Sequence, residues 1–248
     1  FFYFNAFKQV VYRALKKDGS RSLVLLTYDG INTLESEKDE PSYLFTPHLN
    51  NFGSVALKVR LGKDAQDGRP DQIRVYDRYG GFDVEETAQQ DSQNSKYKSF
   101  QNNVALSSSG HVIYIAERSN GKKEMVWSQG RQRKVIAKEG HDGISKFEHF
   151  RPAVNNVGEV VFRAKDENNK RALYIYTGDE ITKIVSEGDR LSCDLSKDCY
   201  VTRKQGFPGI SGSPDINDWG EIIVHLKLSD KKMNNSFGSA VYLFKQNH

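Results

Sequence analysis

The sequence has 248 residues and a net charge of +4, from 36 lysines and arginines and 32 aspartates and glutamates. Hydrophobic residues make up only 37% of the chain and charged residues 27%, so we expect a thin core spread along the molecule. This weak, evenly mixed charge argues against a nucleic-acid-binding protein, and no apolar run reaches the roughly 18 residues of a membrane helix. The basic clusters are expected on solvated hairpin tips and edge strands: Lys16 with Lys17, Arg131 to Lys134, and Lys231 with Lys232.

A short motif recurs five times along the chain. Its centre is a pair of asparagines or aspartates, one further residue and a glycine, followed by β-branched and aromatic residues. Clear copies lie at residues 47–57, 151–164 and 214–224, and weaker copies at 2–12 and 104–114. In chain order, the glycine position is held by Lys8, Gly53, Gly110, Gly158 and Gly220. Copies about 50 residues apart are typical of a propeller or a solenoid.

Each copy belongs to a unit with the same order of elements. An extended piece leads into the motif turn, and three strands separated by polar or glycine-containing turns follow. The second strands are predicted at residues 10–14, 55–59, 112–116, 160–164 and 222–226. The third strands are predicted at 23–26, 73–76, 125–127, 173–176 and 241–244. The fourth strands are predicted at 31–34, 82–84, 135–137 and 181–185.

These units predict an all-β fold, namely a five-bladed β-propeller of four-stranded antiparallel blades in one domain, residues 1–248. The approximate repeat units are 1–43, 44–100, 101–148, 149–210 and 211–248. The last blade is incomplete in this chain, because the fifth unit ends after its third strand. Residues upstream of Phe1 could complete it, and a start without Met suggests that such residues exist. Lys8 in place of glycine predicts a degraded first turn.

The two cysteines, Cys193 and Cys199, lie close together in one polar loop. Their spacing is not that of a C-x-x-C redox or zinc motif, and no second pair exists to complete a four-ligand zinc site. A disulfide that closes the loop is the favoured interpretation, and it predicts an oxidising compartment. Two free thiols are the alternative.

The motif resembles a known group of repeats. Pro47-His-Leu-Asn-Asn-Phe-Gly and Pro214-Asp-Ile-Asn-Asp-Trp-Gly are similar to the turn of TolB-type propellers. They are closer to tandem repeats of secreted or surface-anchored bacterial proteins. The second, fourth and fifth copies match well, and the first and third match only in their strands. The resemblance implies a bacterial exported or surface protein, and because propellers host many functions it transfers no catalytic residue.

The positions around the motif proline suggest where a ligand would bind. Two residues after the proline position every unit has an apolar residue, which we expect between blades: Phe4, Leu49, Leu106, Val154 and Ile216. Because strand side chains alternate, the residues on either side of the proline position are expected to face a central channel. The residues at each of these positions form a column when the units are aligned, and these columns differ from unit to unit. They supply the candidate ligand-binding residues Tyr3, His48, Asn103, Arg151 and Asp215. A water-filled channel without a ligand is the alternative.

Unrepeated connections between units form a second candidate region, since function is often carried by loops on a rigid scaffold. They span residues 35–43, 85–100, 139–150 and 187–212, and their conspicuous side chains are Tyr97, Phe147, His149, Tyr200, Arg203 and Phe207. The motif asparagines are interpreted as turn residues. The segment from Asp215 to Glu221 lacks the spacing of a calcium loop, so no metal site is predicted.

Two functions remain open. The first is a secreted, periplasmic or cell-surface binding module that presents the channel mouth and long loops to a protein or glycan. The second is a glycoside hydrolase, which needs two carboxylates flanking a bond, and Asp215 with Glu148 or Asp189 are its candidates. The first is favoured because no motif supports the pairing. Whether the protein is an enzyme stays open, and a protein without catalytic activity is the favoured interpretation. No phosphate loop or dinucleotide motif implies a cofactor.

Overall fold

The computed structural model describes residues 2–38, 40–62, 70–89, 95–194, 198–203 and 208–245. In these residues the regular structure consists of 24 β-strands without any helix, which confirms the predicted all-β class. The chain divides into two compact units, Phe1–Ile136 and Ala137–His248.

The first unit holds three sheets. Sheet 1 consists of β1 (Phe2–Phe4), β2 (Val10–Leu15), β3 (Arg21–Thr27) and β4 (Gly30–Ser36). Sheet 2 consists of β5 (Tyr43–Leu44), β6 (His48–Leu49), β7 (Val55–Arg60), β8 (Asp71–Tyr76) and β9 (Phe82–Ala88). Sheet 3 consists of β10 (Ser99–Phe100), β11 (Ala105–Leu106), β12 (Val112–Glu117), β13 (Lys123–Gln129) and β14 (Gln132–Lys138).

The second unit holds two sheets. Sheet 4 consists of β15 (Ile144–Phe147), β16 (Ala153–Val154), β17 (Val160–Asp166), β18 (Arg171–Tyr176) and β19 (Ile181–Ser186). Sheet 5 consists of β20 (Arg190–Leu191), β21 (Cys199–Val201), β22 (Ile210–Ile216), β23 (Ile222–Ser229) and β24 (Ser236–Phe244).

The predicted second, third and fourth strands are confirmed, and each lies within an observed strand. The first strand of sheets 2 to 5 is split into two pieces that pair with the same neighbour, as β5 and β6 both pair with β7. The earlier pieces were missed, so sheets 3 and 4 begin at Ser99 and Ile144, ahead of the predicted unit starts. In sheet 5, β24 is the third strand, and within the described residues no fourth strand pairs with its outer edge.

The motif turn is built by its first asparagine. The Oδ1 atom of Asn50 accepts hydrogen bonds from the amides of Phe52 (3.0 Å) and Ser54 (2.9 Å), while Gly53 adopts a φ of 83°. The predicted degradation of the first turn is wrong, because Lys8 adopts the same left-handed backbone with a φ of 60°. There the Asn5 side chain binds the turn amides in the same way, which offsets the cost of a non-glycine residue.

Strand alternation gives each sheet two apolar faces. The preceding face carries the residues two and four positions after the motif glycine and packs on the sheet before it, as Val55 and Leu57 do against sheet 1. The following face carries the residue three positions after the glycine and packs on the sheet after it, as Ala56 does against sheet 3. Sheets 4 and 5 pack in the same way, with Val161 against Ile222 and Val224. The core therefore lies in thin layers between sheets, as the low hydrophobic content predicts.

Cations also link neighbouring sheets within each unit. Five positions after the motif glycine, or after Lys8 in its place, a basic side chain donates a hydrogen bond to a carbonyl oxygen of the next sheet. These bonds run from Arg13 Nη1 to Leu44 O (2.7 Å), from Lys58 Nζ to Phe100 O (2.8 Å) and from Arg163 Nη1 to Gly212 O (2.7 Å). These three basic residues were not identified from the sequence.

A glutamate after the fourth strand forms a second repeated link. Its carboxylate accepts a hydrogen bond from a backbone amide at the start of the next sheet or in its first strand. The pairs are Glu37 with Leu44 N (2.9 Å), Glu139 with Phe147 N (3.0 Å) and Glu187 with Gly209 N (3.1 Å). Glu37 and Glu187 are buried, so these bonds satisfy backbone groups away from water.

Candidate binding site

Tyr3 and His48 meet in the first unit. They lie on the first strands of sheets 1 and 2, and their ring centroids are 5.2 Å apart in an edge-to-face arrangement at 82°. This contact brings together two of the predicted ligand-binding residues from segments 45 positions apart. An aromatic ring and an imidazole offer both a stacking face and a polar edge to a ligand.

A third strand fixes the orientation of the imidazole. The backbone amide of Leu106 in sheet 3 donates a hydrogen bond to His48 Nδ1 at 2.9 Å. Since Nδ1 is the acceptor, the ring proton of the neutral imidazole sits on Nε2. Asn103, the third predicted residue, forms an isolated parallel bridge with Thr46 two residues before His48. The first strands of sheets 1, 2 and 3 therefore gather three of the candidates in one region.

The remaining two candidates lie in the second unit. Asp215 is exposed on β22, and its Oδ1 accepts the amide of Ile216 at 3.0 Å. It lines a cavity of about 190 Å³ with Ile223 and Leu243. Arg151 is half-buried just ahead of β16. Each unit thus contributes polar side chains from its first strands.

The expected alternation of the first strands holds only in part. Leu49, Leu106 and Ile216 are buried in the cores between sheets, as predicted. The prediction for Phe4 is wrong, because its side chain is 73% exposed. Ala153, from the column expected to face a channel, is buried in the core of sheets 4 and 5.

The carboxylates of the hydrolase hypothesis have other partners. Glu148 Oε2 binds the guanidinium of Arg163 at 2.6 Å, and its Oε1 binds Arg171 at 3.0 Å. Burial lowers the pKa of Arg163, and the charge of Glu148 opposes that shift. Asp189 Oδ2 accepts the Ser186 amide at 2.7 Å and shapes a turn. Both oxygens of Glu148 are thus occupied, so neither is available to protonate a leaving group.

The segment from Asp215 to Glu221, which lacks the spacing of a calcium loop, forms a motif turn. Asn217 Oδ1 accepts the amides of Trp219 and Glu221, and the carboxylate of Glu221 binds Lys245 at 2.9 Å. The hydrogen bonds from Lys245 and from Asn217 lower the pKa of Glu221. Among the described residues no group of three or more His, Cys, Asp or Glu side chains is placed to hold a metal ion.

Several loop residues proposed as candidates belong to the core. Tyr97 and Phe147 are each 1% exposed, so they pack rather than bind. His149 and Arg203 are exposed, and Tyr200 is half-buried in β21. Phe207 lies outside the described residues.

The apex of the motif turn is a surface that the sequence analysis overlooked. The residue before the glycine position is a large apolar side chain in four copies and stands in solvent. The exposed fractions are 65% for Phe7, 71% for Phe52, 70% for Val157 and 79% for Trp219. An apolar residue at the tip of a polar turn was the signal available in the sequence.

The disulfide between Cys193 and Cys199 is present, as predicted. It joins the β20–β21 connection to β21. Cys199 is fully buried in the core of sheet 5, so the segment is not wholly the polar loop that was expected.

The family model that matches this chain, over residues 5–247, is described as a family of unknown function, DUF7453. No curated protein matches the sequence. Among solved structures, the β-propeller domain of the Trilobed protease from Pyrococcus furiosus is similar, with 10% identity and a TM-score of 0.54. That alignment covers 100% of this chain and 70% of the protease propeller.

Two further structures are similar at lower scores. The six-bladed fucose-binding lectin of the fungus Aleuria aurantia has 10% identity and a TM-score of 0.48, over 99% of this chain and 77% of the lectin. A gluconolactonase from Xanthomonas campestris has 8% identity and a TM-score of 0.48, over 97% and 73%. The likeness to the protease propeller shows the fold alone, which is that of a β-propeller. The TolB-type repeat resemblance stays a prediction.

Within the described residues, the structure has no helix that is long and apolar enough to cross a membrane.

Proposed function

The chain belongs to DUF7453, a family of unknown function. We propose that it is a binding module. Its five sheets are five blades of a propeller. The ligand is a protein or a glycan, and it contacts side chains of the first strands of the first unit: Tyr3, His48 and Asn103. Arg151 and Asp215 are separate candidates in the second unit.

The observation that carries this proposal is the contact of Tyr3 with His48. The two rings come from different sheets, and the Leu106 amide fixes the imidazole tautomer so that Nε2 carries the donor. Neither residue is repeated at the equivalent position of another sheet, so the pair is particular to this part of the chain. Preorganised aromatic and polar groups are what a specific binding site requires.

Export of the protein is part of the proposal. The supporting observation is the Cys193–Cys199 disulfide, because disulfides persist in secreted, periplasmic or cell-surface compartments.

A screen of the purified protein on glycan and peptide arrays tests the proposal. We expect a ligand whose binding is lost in His48→Ala, since this change removes a preorganised ring of the first unit. Asp215→Asn tests the second unit separately, by removing an exposed carboxylate. His141→Ala and Asp179→Asn are matched controls at exposed turn positions and should bind as the wild type does.

Other outcomes point elsewhere. Binding that survives both substitutions but is lost in Trp219→Ala would move the site to the motif-turn apex. Absence of binding, together with hydrolysis of a polysaccharide that Asp215→Asn abolishes, would replace the binding module with the hydrolase.

A further inference from the structure

Reverse turns of sheets 1 to 3 lie side by side at one end of the first unit. Because adjacent strands are antiparallel, each motif turn lies at the same end of its sheet as the turn between the last two strands. Hydrogen bonds join neighbouring sheets here, from the Ala6 amide to Asn51 Oδ1 (3.1 Å) and from the Asn51 amide to Ser108 Oγ (3.1 Å). Asn32 of β4 likewise donates to Arg78 O in the β8–β9 turn at 3.3 Å. We call this end of sheets 1 to 3 the turn end.

Aromatic rings stand in solvent at the turn end. The apex residues of the first two motif turns, Phe7 and Phe52, are 65% and 71% exposed. In the turns between the last two strands of the same sheets, Tyr28 is fully exposed and Tyr79 is 77% exposed. Sheet 2 packs on sheets 1 and 3 within this unit. The exposure of Phe52 and Tyr79 is therefore not the result of a missing neighbouring sheet.

The turns do not need these rings in order to form. In the third motif turn the apex residue is Ser109, and a backbone amide still closes the turn by donating to Ser107 Oγ at 3.0 Å. In the β8–β9 turn Asp77 Oδ1 accepts the amides of Tyr79 (2.7 Å) and Gly81 (3.1 Å), so the carboxylate shapes the turn and the ring does not. Exposed apolar groups without a structural role indicate contact with something outside the molecule.

Positive charge accompanies the rings. Arg78 lies beside Tyr79, with its guanidinium carbon 4.8 Å from the ring centroid. The β13–β14 turn of sheet 3 is the most basic, since no carboxylate occurs from Gly130 to Lys138. The exposed basic side chains within four residues of a turn apex are Lys8, Arg78, Arg131, Arg133 and Lys134. They outnumber the carboxylates of the same segments, which are Asp29, Asp77 and Asp83.

We propose that the turn end of the first unit binds the surface of an anionic lipid membrane. Its four rings enter the headgroup region, and its basic side chains contact the anionic headgroups. The rings project from the tips of turns and are largely exposed, whereas small-molecule and glycan ligands are enclosed by concave sites. A bilayer interface accepts projecting aromatic rings, and lysines and arginines beside them strengthen binding to anionic lipids. This surface uses none of the side chains proposed above to contact a ligand.

Co-sedimentation with vesicles of phosphatidylcholine, with and without phosphatidylglycerol, tests the proposal. The wild type should bind most strongly when phosphatidylglycerol is present. Phe52→Ser and Tyr79→Ser should each weaken binding on the order of tenfold, because each removes a ring from the interface. Serine is the native residue at the equivalent position of the third motif turn, so Phe52→Ser should keep the wild-type urea midpoint. Leu15→Ser is the matched control, since Leu15 is 72% exposed at the opposite end of β2, and it should bind as the wild type does.

Charge substitutions test the lipid selectivity. Arg131→Gln combined with Arg133→Gln should weaken binding to phosphatidylglycerol vesicles by about tenfold or more and leave binding to pure phosphatidylcholine unchanged. His48→Ala should bind vesicles as the wild type does, so failure of this proposal and failure of the ligand site are distinguishable.

A spectroscopic probe reports insertion directly. Phe52→Trp places an indole where the fifth motif turn has Trp219, and its emission should shift to shorter wavelength on vesicles. The wild type, with Trp127 and Trp219, supplies the background. An unshifted emission overturns the proposal, as does a wild type that binds neither kind of vesicle. So does vesicle binding that survives Phe52→Ser combined with Tyr79→Ser. Binding to a glycan array that Phe52→Ser abolishes, without vesicle binding, would replace the membrane with a glycan.

Discussion

The side-chain amide of Asn50 donates a hydrogen bond to the carbonyl oxygen of Ser107, 57 residues further along the chain, at 3.2 Å. The Oδ1 atom of the same side chain closes the turn that Asn50 begins. Asn5 makes the equivalent bond to Asn50 O at 2.8 Å, and Asn155 makes it to Asn217 O at 3.1 Å. The first motif asparagine therefore shapes its own turn and joins it to the next.

Replacing Asn50 with alanine should lower the free energy of unfolding by about 2–3 kcal/mol, since one change removes three hydrogen bonds of a buried group. Urea denaturation followed by tryptophan fluorescence measures it. Asn51→Ala is the matched control, because Asn51 Oδ1 makes one exposed bond, to the Ala6 amide at 3.1 Å. Equal losses in the two variants would contradict the double role of Asn50.

The buried ion pair of Lys58 and Asp71 should respond unequally to the removal of each partner. Lys58 is 3% exposed, and its Nζ lies 2.9 Å from Asp71 Oδ2. Burial lowers the pKa of Lys58, and Asp71 opposes the shift. Asp71→Ala leaves a buried cation without its counter-charge and should cost about 3–5 kcal/mol. Lys58→Met should cost less, because Arg60 still binds Asp71 at 2.8 Å, although the bond from Lys58 to Phe100 O is lost.

The double variant separates this explanation from simple loss of packing. If an unpaired charge is the cause, Lys58→Met combined with Asp71→Ala should be more stable than Asp71→Ala alone in the same urea titration. A double variant that is less stable would show that the charge is not the source of the cost.

Tyr174 should make the protein sensitive to alkali. Burial, with the charges of Asp166 and Glu167, raises its pKa from 10.0 to about 12, and its hydroxyl donates to Gly143 O at 3.1 Å. Between these pH values the unfolded chain loses the tyrosine proton while the folded chain keeps it, so the stability contributed by Tyr174 falls as the pH rises.

Tyr174→Phe should therefore show a shallower loss of stability from pH 10 to 12 than the wild type, in urea titrations at a series of pH values. Tyr28→Phe, at a fully exposed position, should keep the wild-type slope. Identical slopes in all three proteins would rule out a contribution from Tyr174.

Reduction of the Cys193–Cys199 disulfide should lower the free energy of unfolding by about 2 kcal/mol, because the bond closes a short loop and constrains the unfolded chain. Urea denaturation with and without dithiothreitol measures the change. Cys193→Ser should show the same loss without reductant and no further loss with it. An additional response of this variant to reductant would mean that dithiothreitol acts elsewhere.

The strands and turns were predictable because their signals are local. Gly53 and Gly158, with φ values of 83° and 90°, adopt a left-handed backbone that favours glycine, and the asparagine three residues earlier completes the turn. Lys8 shows the limit of that reasoning, since Asn5 and its hydrogen bonds hold the turn even without glycine. The short first pieces of the split strands were missed because two residues such as Tyr43 and Leu44 show no periodicity.

The candidate site was predictable as a set of columns but not as a set of contacts. His48 meets Tyr3 and the Leu106 amide through packing between sheets, which no local pattern encodes. The burial of Ala153 and the exposure of Phe4 depend on which neighbouring sheet is present. The basic residues Arg13, Lys58 and Arg163 follow the repeat period, but their hydrogen bonds to the next sheet depend on packing between sheets, which no local pattern encodes.

The links between sheets run from a side chain of one sheet to a backbone group of the next, as from Lys58 to Phe100 O or from Glu187 to Gly209 N. Main-chain acceptors and donors are present whatever the sequence, so a sheet can be followed by any other sheet of the repeat without coordinated substitutions. Stability then grows approximately as a sum of neighbouring interfaces. Gene duplication or deletion of one whole sheet is therefore a small evolutionary step for such a chain.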